Sequence, residues 1–306
     1  MEKEKFSWKK FFQKLEISPF KIVGLIVLAL YALSMLALIY WGLTTALKTQ
    51  MEFRVNKLGL PKGMPWEWEW SNIFYVFSNF KIYINTATEA NKPIKFGAML
   101  LNTVVYAGGC AVISAVVTMV MAYMTTNFEY RMSDIITKIV IITMILPIVG
   151  AYPSEMQILK TLGLYDTRFG SWVQKFNFLG MYFLVFQATF KSMSKEFSEA
   201  ASIDGASELQ ILLLIVFPIV RNTLFTIIIL NFVAFWNDYQ APLLYFPSFP
   251  TLAFGLDFVT RYGGNKMSIV PMKMSGALVI LLPILIIFLV FRNRILGNVT
   301  MGGVKE

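Results

Sequence analysis

Residues 96–125 read FGAMLLNTVVYAGGCAVISAVVTMVMAYMT, thirty positions without one Asp, Glu, Lys or Arg. A helix rises about 1.5 Å per residue, and about 20 apolar residues cross the hydrocarbon core of a bilayer. The stretch is long enough to span. In lipid no water is at hand for backbone N–H and C=O groups, so a spanning segment closes its own hydrogen bonds and is helical.

Five more apolar segments lie on either side of it. They run from Ile22 to Leu47, Ile135 to Tyr152 (bounded by Pro153), Phe176 to Phe190, Ile211 to Phe235 (through Pro218 and Arg221), and Ser275 to Phe291. The fourth in chain order, Phe176 to Phe190, is short and contains Gln187. The composition agrees: 57% of the 306 residues are hydrophobic and only 15% are charged, against about a quarter charged in a soluble domain. A soluble α/β enzyme with a rich core does not account for apolar runs of this length that recur. The fold expected is an all-α polytopic membrane protein with six transmembrane helices. The first apolar run is too long for the core of a signal peptide, and no small-residue cleavage site follows promptly, so it reads as a retained span. Two regions are expected: 1–96, with the N-terminal segment, the first helix and a long polar stretch, and 97–306, with the other five helices.

Net charge is +9. No basic block interleaves with exposed aromatics, so a lipid surface is the expected partner and nucleic acid is not. There is no histidine, and Cys110, the single cysteine, sits inside the quoted run. The commonest general base and metal ligand are therefore absent, and no disulfide can close within the chain. No phosphate-binding Gly-rich loop with the required spacing is present. Neither a metal, a cofactor nor catalysis by this chain is expected. Lys3, Lys5, Lys9, Lys10 and Lys14 precede the first helix, while Arg292 and Arg294 end the last. Six spans place both termini on one side, and these charges assign that side to the cytoplasm, although the 48–96 stretch on the other side also carries seven basic residues. The aromatics of PKGMPWEWEWSNIFYVFSNFKIY, 61–83, suit either an interfacial belt or a docking surface.

One inner stretch is different in kind. Residues 194–218 read SKEFSEAASIDGASELQILLLIVFP. Ser194 can cap a helix beginning at Lys195, with Glu196 favourable in its first turn. Gly205 can take the left-handed conformation that closes a helix near Asp204. Ser207 and Gln210 have capping-box spacing for a second helix, which carries the apolar run into the membrane. Ala200 and Ala201 leave one side of the short helix nearly bare, and Glu199 offers a carboxylate to a basic partner. An ordinary connection whose alanines reflect helix propensity is the alternative.

The spacing Glu199-Ala200-Ala201, three residues, Gly205, nine residues, Ile215-Val216-Phe217-Pro218 resembles the Glu-Ala-Ala signature of the inner-membrane subunits of binding-protein-dependent ABC importers. Phe217 stands where that family has leucine, Ser194 where it often has proline, and Asn222 where it often has a second proline. IDGAS at 203–207, WNDYQAPL at 236–243, LNT at 101–103, AY at 122–123, LGLYDT at 162–167, TLAFGL at 251–256 and the ending RILGNVTMGGVKE resemble the maltose-type carbohydrate permeases. The likeness covers about residue 97 to the end.

That resemblance implies an ABC importer permease fold with a coupling helix over 195–205. It implies a multi-pass protein of a bacterial or archaeal plasma membrane, acting as a heterodimer with a second homologous permease subunit. Two ATP-binding cassette ATPase subunits and an extracytoplasmic solute-binding protein would complete the assembly. Hydrolysis would belong to the ATPases. Glu199, Ala200, Ala201, Asp204, Gly205, Ile215 and Pro218 would couple to them. Trp236, Asn237 and Asp238, polar groups at the end of an apolar helix, are path candidates, or else lie at the interface or bond neighbouring helices. Gly255, Tyr262, Gly263 and Gly264 fall where the family's loop meets the binding protein. The solute expected is a sugar or oligosaccharide. Glycerol phosphate or a polyamine on the same architecture, a membrane enzyme, and an ATP-independent carrier are the competing readings.

Overall fold

A computed structural model of the chain describes residues 19–84, 91–128, 131–146, 150–194, 196–262 and 266–299. Among these residues it is an all-α polytopic membrane protein apart from one short pair of antiparallel strands. In chain order come α1 (Pro19–Ala46), α2 (Gln50–Val55), α3 (Ser71–Asn79) and the antiparallel strands β1 (Lys81–Ile84) and β2 (Lys92–Lys95). The long α4 (Phe96–Asn127) follows, then α5 (Arg131–Ile145), α6 (Tyr152–Thr161), α7 (Arg168–Val173), α8 (Met181–Lys191) and α9 (Glu196–Ile203). The second half holds α10 (Glu208–Trp236), α11 (Gln240–Tyr245), α12 (Leu252–Tyr262) and α13 (Val270–Val299).

Four helices, α1, α4, α10 and the Val270–Arg292 part of α13, are long and apolar enough to cross a bilayer. The other two expected spans are helical but shorter. The third is α5, 15 residues or about 22 Å. It begins four residues before Ile135, because Arg131 to Asp134 form a polar first turn that hydropathy does not register. The fourth is α8, which starts only at Met181, since Gly180 at φ 138° turns the chain out of the preceding extended stretch.

The quoted segment is the central post. Its small residues Ala107, Cys110, Ala111 and Ala115 are fully buried, which lets neighbours approach its backbone closely. At Gly109 the approach is closest: a Cβ there would overlap the Trp172 indole, whose Nε1 donates to the Val105 carbonyl at 3.2 Å. Around the post lie three apolar clusters. One joins Val76, Phe80, Ile82, Met99, Leu252 and Met272. A second, at the α9 end, joins Met119, Tyr123, Val140, Phe186, Ile211 and Val220. The third holds Tyr106, Cys110, Leu159 and Tyr245. Large apolar side chains left exposed on α1, α5 and α13 face a solvent that is itself apolar, as the bilayer requires.

Several sequence motifs turn out to fasten connections to this post. Asn102 Nδ2 donates to the Pro250 carbonyl at 3.2 Å, and Thr103 Oγ1 accepts from Leu252 N–H at 2.8 Å. Asp166, at φ 56°, accepts from Ser248 N–H at 2.9 Å and from its hydroxyl at 2.6 Å. Lys48 is buried and donates to the Asn56 and Gly59 carbonyls at 2.9 and 2.7 Å, which folds the 48–60 stretch onto the end of α1.

Candidate functional site

The chain from Ser194 to Pro218 builds a joint. Ser194 Oγ accepts from Glu196 N–H at 3.3 Å, the cap expected of it; Lys195 lies outside the described residues. Gly205, at φ +84°, ends α9. Its N–H donates to Ser202 O at 3.1 Å, and Ala206 N–H reaches back to Ala201 O at 2.9 Å. This pair of bonds is the Schellman closure, which satisfies carbonyls a helix end otherwise leaves open. Ala201 and Ala206, the two residues it joins, both pack on the α9-end cluster. Ser207 then opens α10 with a capping box: Ser207 N–H donates to Gln210 Oε1 at 2.8 Å while Ser207 Oγ accepts from Gln210 N–H.

The two alanines have different surroundings. Ala201 is half-buried against the bundle, whereas Ala200 is exposed beside Glu199. Asp204 is exposed as well. Ile203 completes this outward face at 86% exposure, a large apolar side chain on an otherwise polar helix. The sequence signal for Ile203 is a large apolar residue one turn after Glu199, with only Ala200 as an apolar neighbour on that face. Ile215 is half-buried and Pro218 exposed at the start of α10. Pro218 has no N–H to offer, and residues Ile211–Val216 ahead of it widen into a π-helical turn in which Phe217 N–H bonds Leu212 O.

α10 has 29 residues, about 44 Å of helix, so Trp236, Asn237 and Asp238 lie at the opposite end from the joint. Trp236 is 1% exposed and its Nε1 donates to the Ile280 carbonyl at 3.2 Å, tying α10 to α13. Asn237 is exposed, with its amide on Val233 O at 2.8 Å. Asp238 accepts from the Tyr106 hydroxyl at 2.7 Å and caps α11 through Ala241 N–H at 3.2 Å. Beside this cluster a cavity of about 740 Å³ opens between α4, α6, α7, α8 and α10. Asn231 and Gln174 are in its wall, and Asn231 Nδ2 and Gln174 Oε1 are buried without a hydrogen-bond partner. Lys175 also lines it, its Nζ 5.1 Å from the centre of the Phe235 ring. Sequence reading missed these residues because each is a single polar group, and only folding brings them to one wall.

Gly255 is buried in α12, where a Cβ would press on Met99 and Phe80; it makes room within the bundle rather than offering a surface. Tyr262 is exposed at the end of α12. Gly263 and Gly264 lie outside the described residues.

Long apolar helices, with a capped helix–turn–helix at one end and a cavity that holds a few polar groups toward the other, define an all-α polytopic membrane protein. The family model of the binding-protein-dependent transport system inner membrane component matches residues 114–298, and the chain belongs to that family. It is a transport subunit and not an enzyme, and systems of this family operate with an ATPase and a solute-binding protein.

Among its relatives is the melibiose/raffinose/stachyose import permease protein MelC of Bacillus subtilis, 24% identical over 73% of this chain and 82% of that one. The diacetylchitobiose uptake system permease protein NgcG of Streptomyces coelicolor is 23% identical over 92% and 88%. The sn-glycerol-3-phosphate transport system permease protein UgpE of Yersinia enterocolitica is 28% identical over 57% and 59%. The fold is also that of a chain in the crystal structure of a bacterial ABC transporter involved in the import of the acidic polysaccharide alginate. That match has a TM-score of 0.67 at 21% identity and covers 95% of this chain and 99% of the other.

Proposed function

We propose that this chain forms half of the translocation path of an ATP-driven importer for a sugar or oligosaccharide, beside a second, homologous permease subunit. Its termini are cytoplasmic, following the basic residues before the first helix and after the last. The segment 195–205, which contains α9, is the coupling element: Glu199, Ala200, Asp204 and Ile203 meet an ATPase, while Ala201 holds the helix to its own bundle. Gly205, Ile215 and Pro218 carry motion from that helix into α10. The observation that carries this reading is the Schellman turn at Gly205 set directly against the capping box at Ser207. Two helices joined with their ends closed move as one bent lever.

The solute passes the cavity beside Asn231, with Asn237 and Asp238 at its outer side and Trp236 as a packed support. The Asn231 Nδ2 and Gln174 Oε1 atoms, buried without partners, are a donor and an acceptor of the kind a polyhydroxyl solute can satisfy. The sugar assignment is supported by MelC and NgcG, which align over most of this chain. Lys175 in the cavity wall, where Glu155 is already spent on Tyr245 and Gln174, supports an anionic solute such as glycerol phosphate as a second reading. Tyr262, exposed at the end of α12, meets the binding protein. The test is uptake of labelled raffinose and of labelled glycerol 3-phosphate into proteoliposomes that hold the chain, its partner permease and the ATPase, with binding protein added. Uptake that needs ATP and takes the sugar supports the assignment; uptake without ATP returns the independent-carrier reading.

A further inference from the structure

A second cavity, of about 630 Å³, opens at the α9 end of the bundle and shares no lining residue with the Asn231 cavity. Its walls come from the last turn of α4, the first turn of α5, the end of α8, Ser198 of α9 and Val216 in the π-helical turn. The volume is in the range of small-molecule sites.

The wall has a definite donor and acceptor pattern. Thr125, Thr126 and Ser133 each spend their hydroxyl hydrogen on a backbone carbonyl, at 2.8–3.0 Å. Their oxygens keep lone pairs, so toward an occupant they accept. Thr137 is also committed, donating to Ser133 O and accepting from Gln187 Nε2. Tyr123 is 5% exposed, lines the cavity, and its hydroxyl has no partner. Arg131 and Lys191 line the wall and form no ion pair among the described residues. Among the described residues Asp134 is the one carboxylate in the wall, and Glu208 lies within electrostatic reach of Tyr123. Arg131 and Ser133 also belong to the first turn of the 15-residue α5, the end of a helix that favours an anion.

Acceptors for hydroxyl groups, two cations and an unpartnered phenol together describe an anion that also carries hydroxyls. We propose that this cavity binds a phosphate ester bearing free hydroxyl groups, with Arg131 and Lys191 on the phosphate, Tyr123 donating, and Thr125, Thr126 and Ser133 accepting from the polyol. Two sources share that chemistry: a soluble sugar phosphate and the headgroup of phosphatidylglycerol. Basic pockets between helices at the cytoplasmic ends of a bundle commonly take anionic headgroups. Because Ser198 and Val216 are in the wall, an occupant bridges the α9 joint to α4, α5 and α8 and restrains it.

The assembled complex in phosphatidylcholine nanodiscs is titrated calorimetrically with glucose 6-phosphate. In parallel, complex in phosphatidylglycerol-containing nanodiscs is released into native mass spectrometry to count retained lipid. Saturable binding of the sugar phosphate identifies a metabolite site, and retained phosphatidylglycerol identifies a headgroup site; either supports the proposal. The double variant R131Q/K191Q and Tyr123→Phe are each expected to weaken the bound species by about tenfold or more, as for lost hydrogen bonds to a charged group. Thr126→Val keeps the shape, removes one acceptor, and serves if the double variant fails to assemble. Neither probe binding, or binding that none of these variants weakens, overturns the proposal. Binding is read without transport, so this result and the failure of the importer reading are separate.

Discussion

Ile203 offers the sharpest mutational test of the joint. It is 86% exposed, so trimming it to alanine removes no packing from its own bundle and leaves folding within about 0.5 kcal/mol. If an ATPase covers α9, three carbon groups that were buried on docking are lost. At about 0.8 kcal/mol each, Ile203→Ala weakens docking by about 2 kcal/mol, or about thirtyfold in Kd. The assay is binding of the labelled ATPase to the permease pair in nanodiscs, with thermal unfolding of the permease pair as the control. Ala201→Leu provides the mirror case. Ala201 packs on its own bundle, so the larger side chain overpacks it and lowers permease stability by about 1–3 kcal/mol. Unchanged ATPase affinity in Ile203→Ala, with the permease intact, would refute the assignment of this face to a partner.

Three further outcomes are expected. Gly205→Ala has space for its methyl group but not the left-handed backbone; it costs about 1–2 kcal/mol in the closure of α9, whereas Gly205→Asn costs less, read as hydrogen exchange at Gly205 and Ala206. Tyr106→Phe removes the donor to Asp238 without changing shape and lowers the unfolding free energy by about 1.5–3 kcal/mol in a detergent-solubilised thermal or denaturant series. Asp166→Ala releases both bonds to Ser248, lowers stability by about 2 kcal/mol, and speeds protease cleavage of the 245–251 connection.

The spans were legible wherever one physical term dominated. Residues 96–125 carry no charge over a length that only a membrane helix explains, and the helix begins at Phe96, as hydropathy placed it. Gly205, Ser207 and Gln210 were readable because caps act within four residues. α5 and α8 were misjudged in extent: a polar first turn and a glycine at positive φ decide their ends, and apolar content registers neither. The motifs LNT and LGLYDT pointed to a family but not to their work. Asn102, Thr103 and Asp166 hold connections about 80 to 150 residues away, and such pairings are invisible along a single chain. The same holds for the Asn231 cavity, whose wall draws on five helices, and for Ala201, whose inward packing depends on how α9 settles against the bundle.

The central claim is that the Glu199–Gly205 joint transmits hydrolysis to transport. Its most direct measurement is solute-stimulated ATPase activity together with uptake, in proteoliposomes of the full complex carrying Glu199→Lys or Gly205→Pro. Both variants are predicted to insert and assemble with the partner permease yet show neither stimulation nor uptake. Normal coupled uptake in both would contradict the claim.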